Sequence, residues 1–314
     1  MYRAWQQWHR PLMASAALML GLVAVAVVGL IVDDRVLLGE SVWVKPLKFA
    51  FAFGLHCATL AWLLTHLRKA KRFGWWLGTV FAVAAAVEVA AITVQAARGT
   101  FSHFNSDLAD PVTRAATQAF TNGVAALLLV QVAIAVLVLC QRAGDRALVR
   151  AVRAGVALAV VGMALPVFWM ATEINERTVL DANGEPVVMY QGHGIGDPDG
   201  HGMPITHWSV TGGDFRVPHF VGLHALQVLL LLAAALTALA GRVAWLRAEG
   251  VRARLVGVAA LGWTGLLAVV TWQAGRGQSL IHPDAATGAA FAAVVLVTAG
   301  AAWATIARRP ELVR

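Results

Sequence analysis

The sequence has few charged residues and very few cysteines. Only 13% of its 314 residues are charged and 59% are hydrophobic, whereas a soluble domain averages about 25% charged residues. The two cysteines, Cys57 and Cys140, make a disulfide framework or a cysteine-based metal site unexpected. No Walker loop, dinucleotide fingerprint, Gly-x-Ser-x-Gly elbow or His-Glu-x-x-His motif is present. The composition therefore indicates a polytopic membrane protein without the common soluble-enzyme signatures.

Eight apolar runs are long enough to cross a bilayer, which needs about 20 residues per helix. They cover about residues 11–32, 45–66, 74–97, 116–140, 153–174, 218–241, 255–274 and 287–307. Basic residues are concentrated in alternate connections, and most acidic residues lie in the others. This alternation explains the net charge of +8 without nucleic-acid binding, and it predicts that both termini are cytoplasmic. The expected location is the bacterial cytoplasmic (inner) membrane, with the lipid bilayer as the main partner.

Two polar signatures occur twice in the same order. Gly-Leu-His is found at residues 54–56 and 222–224, and Thr-x-Gln-Ala-x-Arg-Gly at residues 93–99 and 271–277. We therefore predict an all-α protein of two parallel four-helix repeats, residues 1–145 and 146–314, related by an axis along the membrane normal. Chance similarity between short apolar helices is the alternative explanation.

The longest connection, about residues 175–217, is predicted to lie outside the cytoplasm. Residues 178–188 predict a β-hairpin, because Asn183-Gly184 suits a type I′ turn. The loop is also rich in histidine, with His193, His201 and His207. Because long loops in compact proteins are usually functional or mobile, this segment is a candidate functional region, and the alternative is that its histidines are simply solvated. In the helix before it, Pro166 is expected to produce a kink.

Histidines are concentrated towards the predicted outer side. His56 and His224, both in apolar runs, are candidate ligands for haem b or a transition metal such as Cu, Fe or Zn. Three further histidines near the outer boundary could complete such a site: His103, His219 and His282. The alternative is that these side chains form hydrogen bonds with helix backbones or neighbouring polar groups.

A single carboxyl group, Glu88, lies near the middle of the third apolar run. Gln95 follows seven residues later on the same helical face. An ionisable group at this depth predicts a proton relay, in which Gln95 and its counterpart Gln273 take part. The alternative is a structural glutamate bonded to another helix, for example through Gln131.

Four basic residues at the predicted outer boundary could bind an anionic group. They are Arg98, Arg276, Lys48 and Arg216. Arginine suits a haem propionate, a lipid phosphate or a carboxylate substrate. The alternative is that these long side chains extend to the lipid headgroups.

The predicted topology is similar to that of haem A synthases, which also have two groups of four helices with membrane histidines. Their Glu-x-x-His-Arg type of helix motif is absent, because His56 is followed by Cys57 and His224 by Ala225. No residue role is therefore transferred.

Three functions are consistent with the sequence. The first is a haem- or metal-binding redox protein acting near the outer face, with a quinone or a small anionic or lipid substrate as a possible partner. The second is a proton-coupled transporter that uses Glu88. The third is a membrane-embedded enzyme acting on a lipid or isoprenoid, and a sensor or assembly factor is also compatible with the loop.

Overall fold

The computed structural model describes residues 8–142, 144–172, 174–199 and 202–308. His201, one of the predicted loop histidines, lies outside these ranges. The described chain contains eight long helices: α1 (Arg10–Val32), α2 (Val44–Leu64), α3 (Lys71–Ala97), α4 (Pro111–Leu139), α5 (Arg146–Thr172), α6 (Arg216–Leu239), α7 (Glu249–Gly275) and α8 (Ala285–Ala307). The eight predicted helices are confirmed. The helices begin a few residues before the predicted apolar runs, because their first turns contain polar residues, such as Lys71 in α3 and Glu249 in α7.

All eight helices are long and apolar enough to cross a membrane, by length and composition. The shortest, α2, has 21 residues and is about 32 Å long at 1.5 Å per residue, which matches a hydrocarbon core of about 30 Å. Large apolar side chains cover the outward faces, for example Leu20, Ile31, Leu129 and Trp303. A bilayer would shield these surfaces from water.

The chain forms two compact units. Unit 1 comprises residues 1–134, 170–193 and 197–209, and unit 2 comprises residues 135–169, 194–196 and 210–314. Unit 1 therefore holds α1 to α3, most of α4 and most of the loop between α5 and α6. Unit 2 holds most of α5 together with α6, α7 and α8, and a short 3₁₀ turn at Ala244–Arg247.

Helices in each unit pack through small residues and a few buried polar contacts. In unit 1, the Ser15 hydroxyl on α1 donates to the Ala82 carbonyl on α3 at 3.2 Å. In unit 2, Ala151 on α5, Ala225 on α6 and Val256 on α7 belong to one buried apolar cluster. Small side chains at such contacts let helix backbones approach closely, which is how membrane helices gain packing energy.

The loop between α5 and α6 contains the predicted hairpin. Strands β3 (Arg177–Leu180) and β4 (Pro186–Met189) pair antiparallel, with Thr178 opposite Val188. The type I′ turn is wrong, because it needs positive φ at two successive residues and only Gly184 has one in this turn, at 81°. Instead, the Asp181 carboxylate accepts hydrogen bonds from the backbone N–H groups of Asn183 and Glu185. Four two-residue strands form the two other strand pairs among the described residues: β1 (Val36–Leu37) with β2 (Glu40–Ser41), and β5 (Gly194–Ile195) with β6 (Gly213–Asp214).

The hairpin tip contacts the end of α3. The Ala182 N–H donates to the Gly99 carbonyl and the Asn183 amide to the Arg98 carbonyl, both at 2.9 Å. Arg35 donates to the next carbonyl, that of Ala97, at 2.9 Å. The last carbonyls of a helix lack partners within it, so these contacts both complete α3 and hold the hairpin on unit 1.

Candidate functional site

The first Gln-Ala-x-Arg-Gly signature forms the turn that ends α3. Gly99 has φ of 72°, and the N–H groups of Gly99 and Thr100 donate to the carbonyls of Ala96 and Gln95. This is a Schellman motif, in which the left-handed residue is normally glycine. The signature therefore requires glycine for backbone geometry, independent of any ligand.

The polar side chains of that signature connect α3 to the start of α4. Gln95, fully buried, donates to the Phe101 carbonyl at 3.3 Å and to the Thr113 hydroxyl at 3.1 Å, and accepts from Arg98 at 2.8 Å. Arg98 also pairs with Asp110 at 2.7 Å. Asp110 in turn accepts from the Thr113 backbone N–H at 2.8 Å, which caps α4.

The second signature builds the same kind of network between α7 and α8. Gly277 has φ of 70°, and Gln273 donates to the Ser279 carbonyl at 2.7 Å. Arg276 pairs with Asp284 and donates to Thr287. Asp284 caps α8 by accepting from the Thr287 N–H at 2.8 Å. Both signatures therefore close a helix–loop–helix turn.

The sequence analysis missed the Asp-x-x-Thr pairs that complete both networks, at residues 110–113 and 284–287. The signal was present, since an acidic residue three positions before threonine at a helix start is a capping pattern. The correspondence between the two pairs was hidden because their spacing from the arginine differs. Asp110 lies twelve positions after Arg98, whereas Asp284 lies eight positions after Arg276. Hydrogen bonds from Arg98 and Arg276 hold the pKa values of Asp110 and Asp284 well below the usual carboxyl range.

The two glutamines differ in their hydrogen bonds: Gln95 also donates to a threonine hydroxyl, whereas Gln273 donates to the Ser279 and Leu280 carbonyls. The Gln95 side-chain oxygen accepts from Arg98, whereas the buried Gln273 oxygen has no hydrogen-bond partner in the described part of the chain. We expect Gln95→Met to lower the free energy of unfolding by about 2–4 kcal/mol, because it removes the hydrogen bonds of Gln95 with the Phe101 carbonyl, the Thr113 hydroxyl and Arg98. Gln273→Met should lower it by only about 1–2 kcal/mol, because it also removes an unpaired oxygen. Thermal and chemical unfolding of both variants in detergent measures the difference, and equal losses would contradict it.

The other two basic residues predicted to bind an anion also have carboxylate partners. Lys48 donates to Glu40 at 2.8 Å and to the Thr206 carbonyl at 3.1 Å. Arg216 binds Asp214 at 2.6 Å. All four predicted cations are thus paired with an acidic side chain, and an external anion would have to compete with it. The structure gives Arg98, Arg276, Lys48 and Arg216 local structural partners, and anion binding by them stays a prediction.

His219 interacts with the backbone that Pro166 disrupts. A proline at position 166 cannot donate to the carbonyl four residues earlier, that of Gly162. His219 Nδ1 lies 2.8 Å from that carbonyl oxygen, so the ring donates the missing hydrogen bond from α6 to α5. His282 similarly lies 3.0 Å from the Val210 carbonyl through Nδ1. Both rings therefore have structural hydrogen bonds, and metal ligation by either stays a prediction.

His103, in the loop between α3 and α4, stacks on aromatic residues. Its ring centroid lies 4.2 Å from that of Phe120 and 5.8 Å from that of Phe49. Burial and, secondarily, the positive charge of Lys45 hold the pKa of His103 well below its ordinary value. The ring is therefore neutral in the folded protein at neutral pH.

This lowered pKa predicts that acid destabilises the protein. In the unfolded chain His103 binds a proton below about pH 6.5, whereas in the folded chain its lowered pKa delays protonation to a lower pH. The unfolded state gains the proton first as the pH falls, so stability decreases below that pH. The thermal midpoint should therefore fall less steeply with acidification in His103→Phe than in the wild type. Identical pH profiles for the two proteins would contradict the expectation.

The glycine of each Gly-Leu-His signature lies where two helices meet. In unit 1, a Cβ atom on Gly54 would lie 3.2 Å from Met19 of α1. In unit 2, a Cβ atom on Gly222 would lie 2.5 Å from the Cα atom of Gly162 on α5. The signature glycine therefore permits close approach of neighbouring helices in both units.

The histidine of each signature meets a glutamine. His56 Nε2 lies 3.2 Å from the side-chain oxygen of Gln131 on α4, and both residues are buried. Gln227 lies three residues after His224, on the same face of α6. The glutamine near His56 lies on another helix and the one near His224 on its own helix, so alignment of the two signatures did not reveal them.

Glu88 lies in the interior of unit 1. It is 2% exposed, and its Oε1 atom has no hydrogen-bond partner among the described residues. A Cβ atom on Gly123 of α4 would lie 2.5 Å from Oε1, so the glycine makes room for the carboxyl group. The predicted bond between Glu88 and Gln131 is not observed; Gln131 instead contacts His56.

Within the described residues, no group of three or more His, Cys, Asp or Glu side chains could hold a metal ion. Two pairs of residues do come together in unit 1: the Glu88 carboxyl group lies against Gly123, and the His56 ring lies against the Gln131 side chain. These four residues are the candidate functional site.

Comparison of the chain with protein-family models, curated proteins and solved structures finds no match. The geometry of the buried residues is therefore the basis for a functional conclusion.

Proposed function

We propose that the protein is a proton-coupled transporter of the bacterial cytoplasmic membrane, with Glu88 as its proton-binding group. One observation carries the proposal: a carboxyl group that is 2% exposed, in the third of eight apolar helices, with an oxygen lacking any hydrogen-bond partner among the described residues. Burying an unpaired carboxylate is very unfavourable, and protonation relieves the cost. Ionisable residues inside membrane helices commonly mark proton pathways.

We infer that the chain arose by duplication of a four-helix unit, with both termini in the cytoplasm. The support is the agreement between the two Arg–Asp–Thr networks, the glutamine that donates to the carbonyl six residues later in each turn, and the alternation of basic and acidic connections. Parallel repeats of this kind occur in transporters, which place substrate sites between them. Glu88 has no acidic counterpart in the second repeat, where Leu266 is aligned, so proton binding is assigned to unit 1.

The haem- or metal-binding redox function ranks below transport. The sequence support for it was the excess of histidines on the predicted outer side. Two of these histidines, His219 and His282, form hydrogen bonds with backbone carbonyls in the structure. Ligation of haem b by His56 and His224 needs only two ligands, so it stays a prediction, which an optical spectrum with iron and copper analysis of the purified protein would test. An enzyme acting on lipid or isoprenoid through Glu88 is likewise a prediction, tested by mass spectrometry of products.

The transport proposal is tested with purified protein in lipid vesicles. The vesicles are given a pH gradient in either direction and a defined mixture of carboxylates, amino acids and organic cations. We expect at least one compound to accumulate only in vesicles that contain both the protein and the gradient. Absence of any gradient-dependent accumulation, in either direction, would contradict the proposal.

A further inference from the structure

The interior of unit 1 contains a second buried polar pair besides Glu88. On α3, Phe81 lies seven residues before Glu88, so the two side chains share one helical face about 10 Å apart along the axis. The His56 ring packs against Phe81, with ring centroids 5.3 Å apart. His56 therefore lies beside Phe81, which is about two helical turns from Glu88 towards the start of α3.

Glu88 and Gln131 each have a polar atom without a hydrogen-bond partner. Glu88 Oε1 and Gln131 Nε2 are buried, and neither has a hydrogen-bond partner among the described residues. Gln131 is fully buried. Buried polar atoms are normally satisfied by protein groups or by water. Both atoms lie within unit 1, one on α3 and one on α4, and each retains an unused hydrogen-bonding position.

The His56–Gln131 hydrogen bond suits proton exchange. A glutamine side chain carries both an acceptor oxygen and a donor amide. With its oxygen towards His56, it accepts from a protonated Nε2 at 3.2 Å; rotated by half a turn, it donates to an unprotonated Nε2. Gln131 can therefore stabilise His56 in either tautomer, whereas a carboxylate or hydrocarbon partner would favour one state.

We propose that the His56–Gln131 pair is a second proton-binding station that exchanges protons with Glu88. The transfer takes a proton from the Glu88 carboxyl group and adds it to an imidazole nitrogen of His56, which leaves a carboxylate and an imidazolium. Water would relay the proton between the two side chains, because Glu88 Oε1 has no hydrogen-bond partner among the described residues. The charged groups that act on this segment are Lys45, whose charge acts on Glu88, and the Arg98–Asp110 pair one helical turn beyond Gln95.

This inference rests on one part of the proposed function, the binding of a proton by Glu88, and does not depend on transport. Infrared spectroscopy of the purified protein tests both separately. The carbonyl band of the protonated Glu88 side chain is identified by its loss in Glu88→Gln. After transfer to D₂O the band shifts as its proton is replaced by deuterium, and the rate of the shift reports proton exchange at Glu88.

We expect His56→Gln and Gln131→Leu to retain the Glu88 band but to slow its deuterium exchange at least about tenfold, because a positioned acid–base group is removed from the path. His66→Gln is the matched control: this histidine follows α2 and contacts Trp62, and its substitution should leave the rate unchanged. Thermal unfolding identifies variants that are folded, and if His56→Gln does not fold, Gln131→Leu carries the same expectation.

Wild-type exchange rates in a folded His56→Gln or Gln131→Leu variant would overturn the second station while leaving Glu88 as a proton site. Absence of a protonated Glu88 band in the wild type at every pH at which the protein is folded would instead remove the proton site itself. The two failures are therefore distinguishable.

Discussion

Replacing Glu88 with glutamine is expected to abolish gradient-driven accumulation while leaving the protein folded. Glutamine has nearly the same shape as a protonated glutamate and fits beside Gly123, but its amide stays neutral at physiological pH and does not release a proton as an acid. Because coupling requires the site to be protonated on one side of the membrane and deprotonated on the other, accumulation should fall to the level of empty vesicles. The measurement is uptake of the transported compound in vesicles with an imposed pH gradient.

The matched control for Glu88→Gln is Glu185→Gln. Glu185 is an exposed carboxyl group in the hairpin turn, so its substitution removes a charge without touching the helices. Gradient-driven uptake should remain at the wild-type level in this variant. Uptake that persists undiminished in folded Glu88→Gln would show that proton coupling does not use Glu88.

Replacing Gly222 with alanine is expected to destabilise unit 2. The added Cβ atom would lie 2.5 Å from the Gly162 Cα atom and 3.0 Å from the Leu158 carbonyl oxygen. These are backbone atoms, so α5 and α6 must separate to accommodate it. Overpacking of this kind typically lowers stability by about 1–3 kcal/mol and occasionally more. The same displacement would also weaken the 2.8 Å hydrogen bond from His219 to the Gly162 carbonyl.

Gly288→Ala is the control for Gly222→Ala. Gly288 lies within α8, and nothing would lie within 4 Å of its added Cβ atom. Alanine should therefore stabilise this helix by up to about 1 kcal/mol through helix propensity alone. Thermal midpoints in detergent should move in opposite directions for the two variants. A Gly222→Ala variant as stable as the wild type would show that α5 and α6 do not approach as described.

The sequence predicted the helices and the hairpin well because these depend on local patterns. Apolar runs of about 20 residues set the eight helices, and Asn183-Gly184 marked the position of the hairpin. The turn type was wrong because the Asp181 side chain accepts hydrogen bonds from two backbone N–H groups of the turn. A side chain that replaces backbone pairing in this way is a common feature of turns, but it widens the loop beyond two residues.

The partners of the polar residues were mostly not predictable, because they come from distant parts of the chain. Gln131 is 75 residues from His56, and the Gly162 carbonyl is 57 residues from His219. Sequence analysis identified Glu88, Gln95 and His56 as unusual in apolar surroundings, which is a local property. It did not show that Arg98 meets Asp110, because the pairing depends on how the intervening loop folds.

The most direct test of the central claim is an infrared titration of the wild-type protein and Glu88→Gln. The account predicts a protonated-carboxyl band in the wild type that changes reversibly with pH while the protein remains folded, and that is missing from Glu88→Gln at every pH. Identical carboxyl bands in the two proteins throughout the titration would contradict the assignment of Glu88 as the proton-binding group.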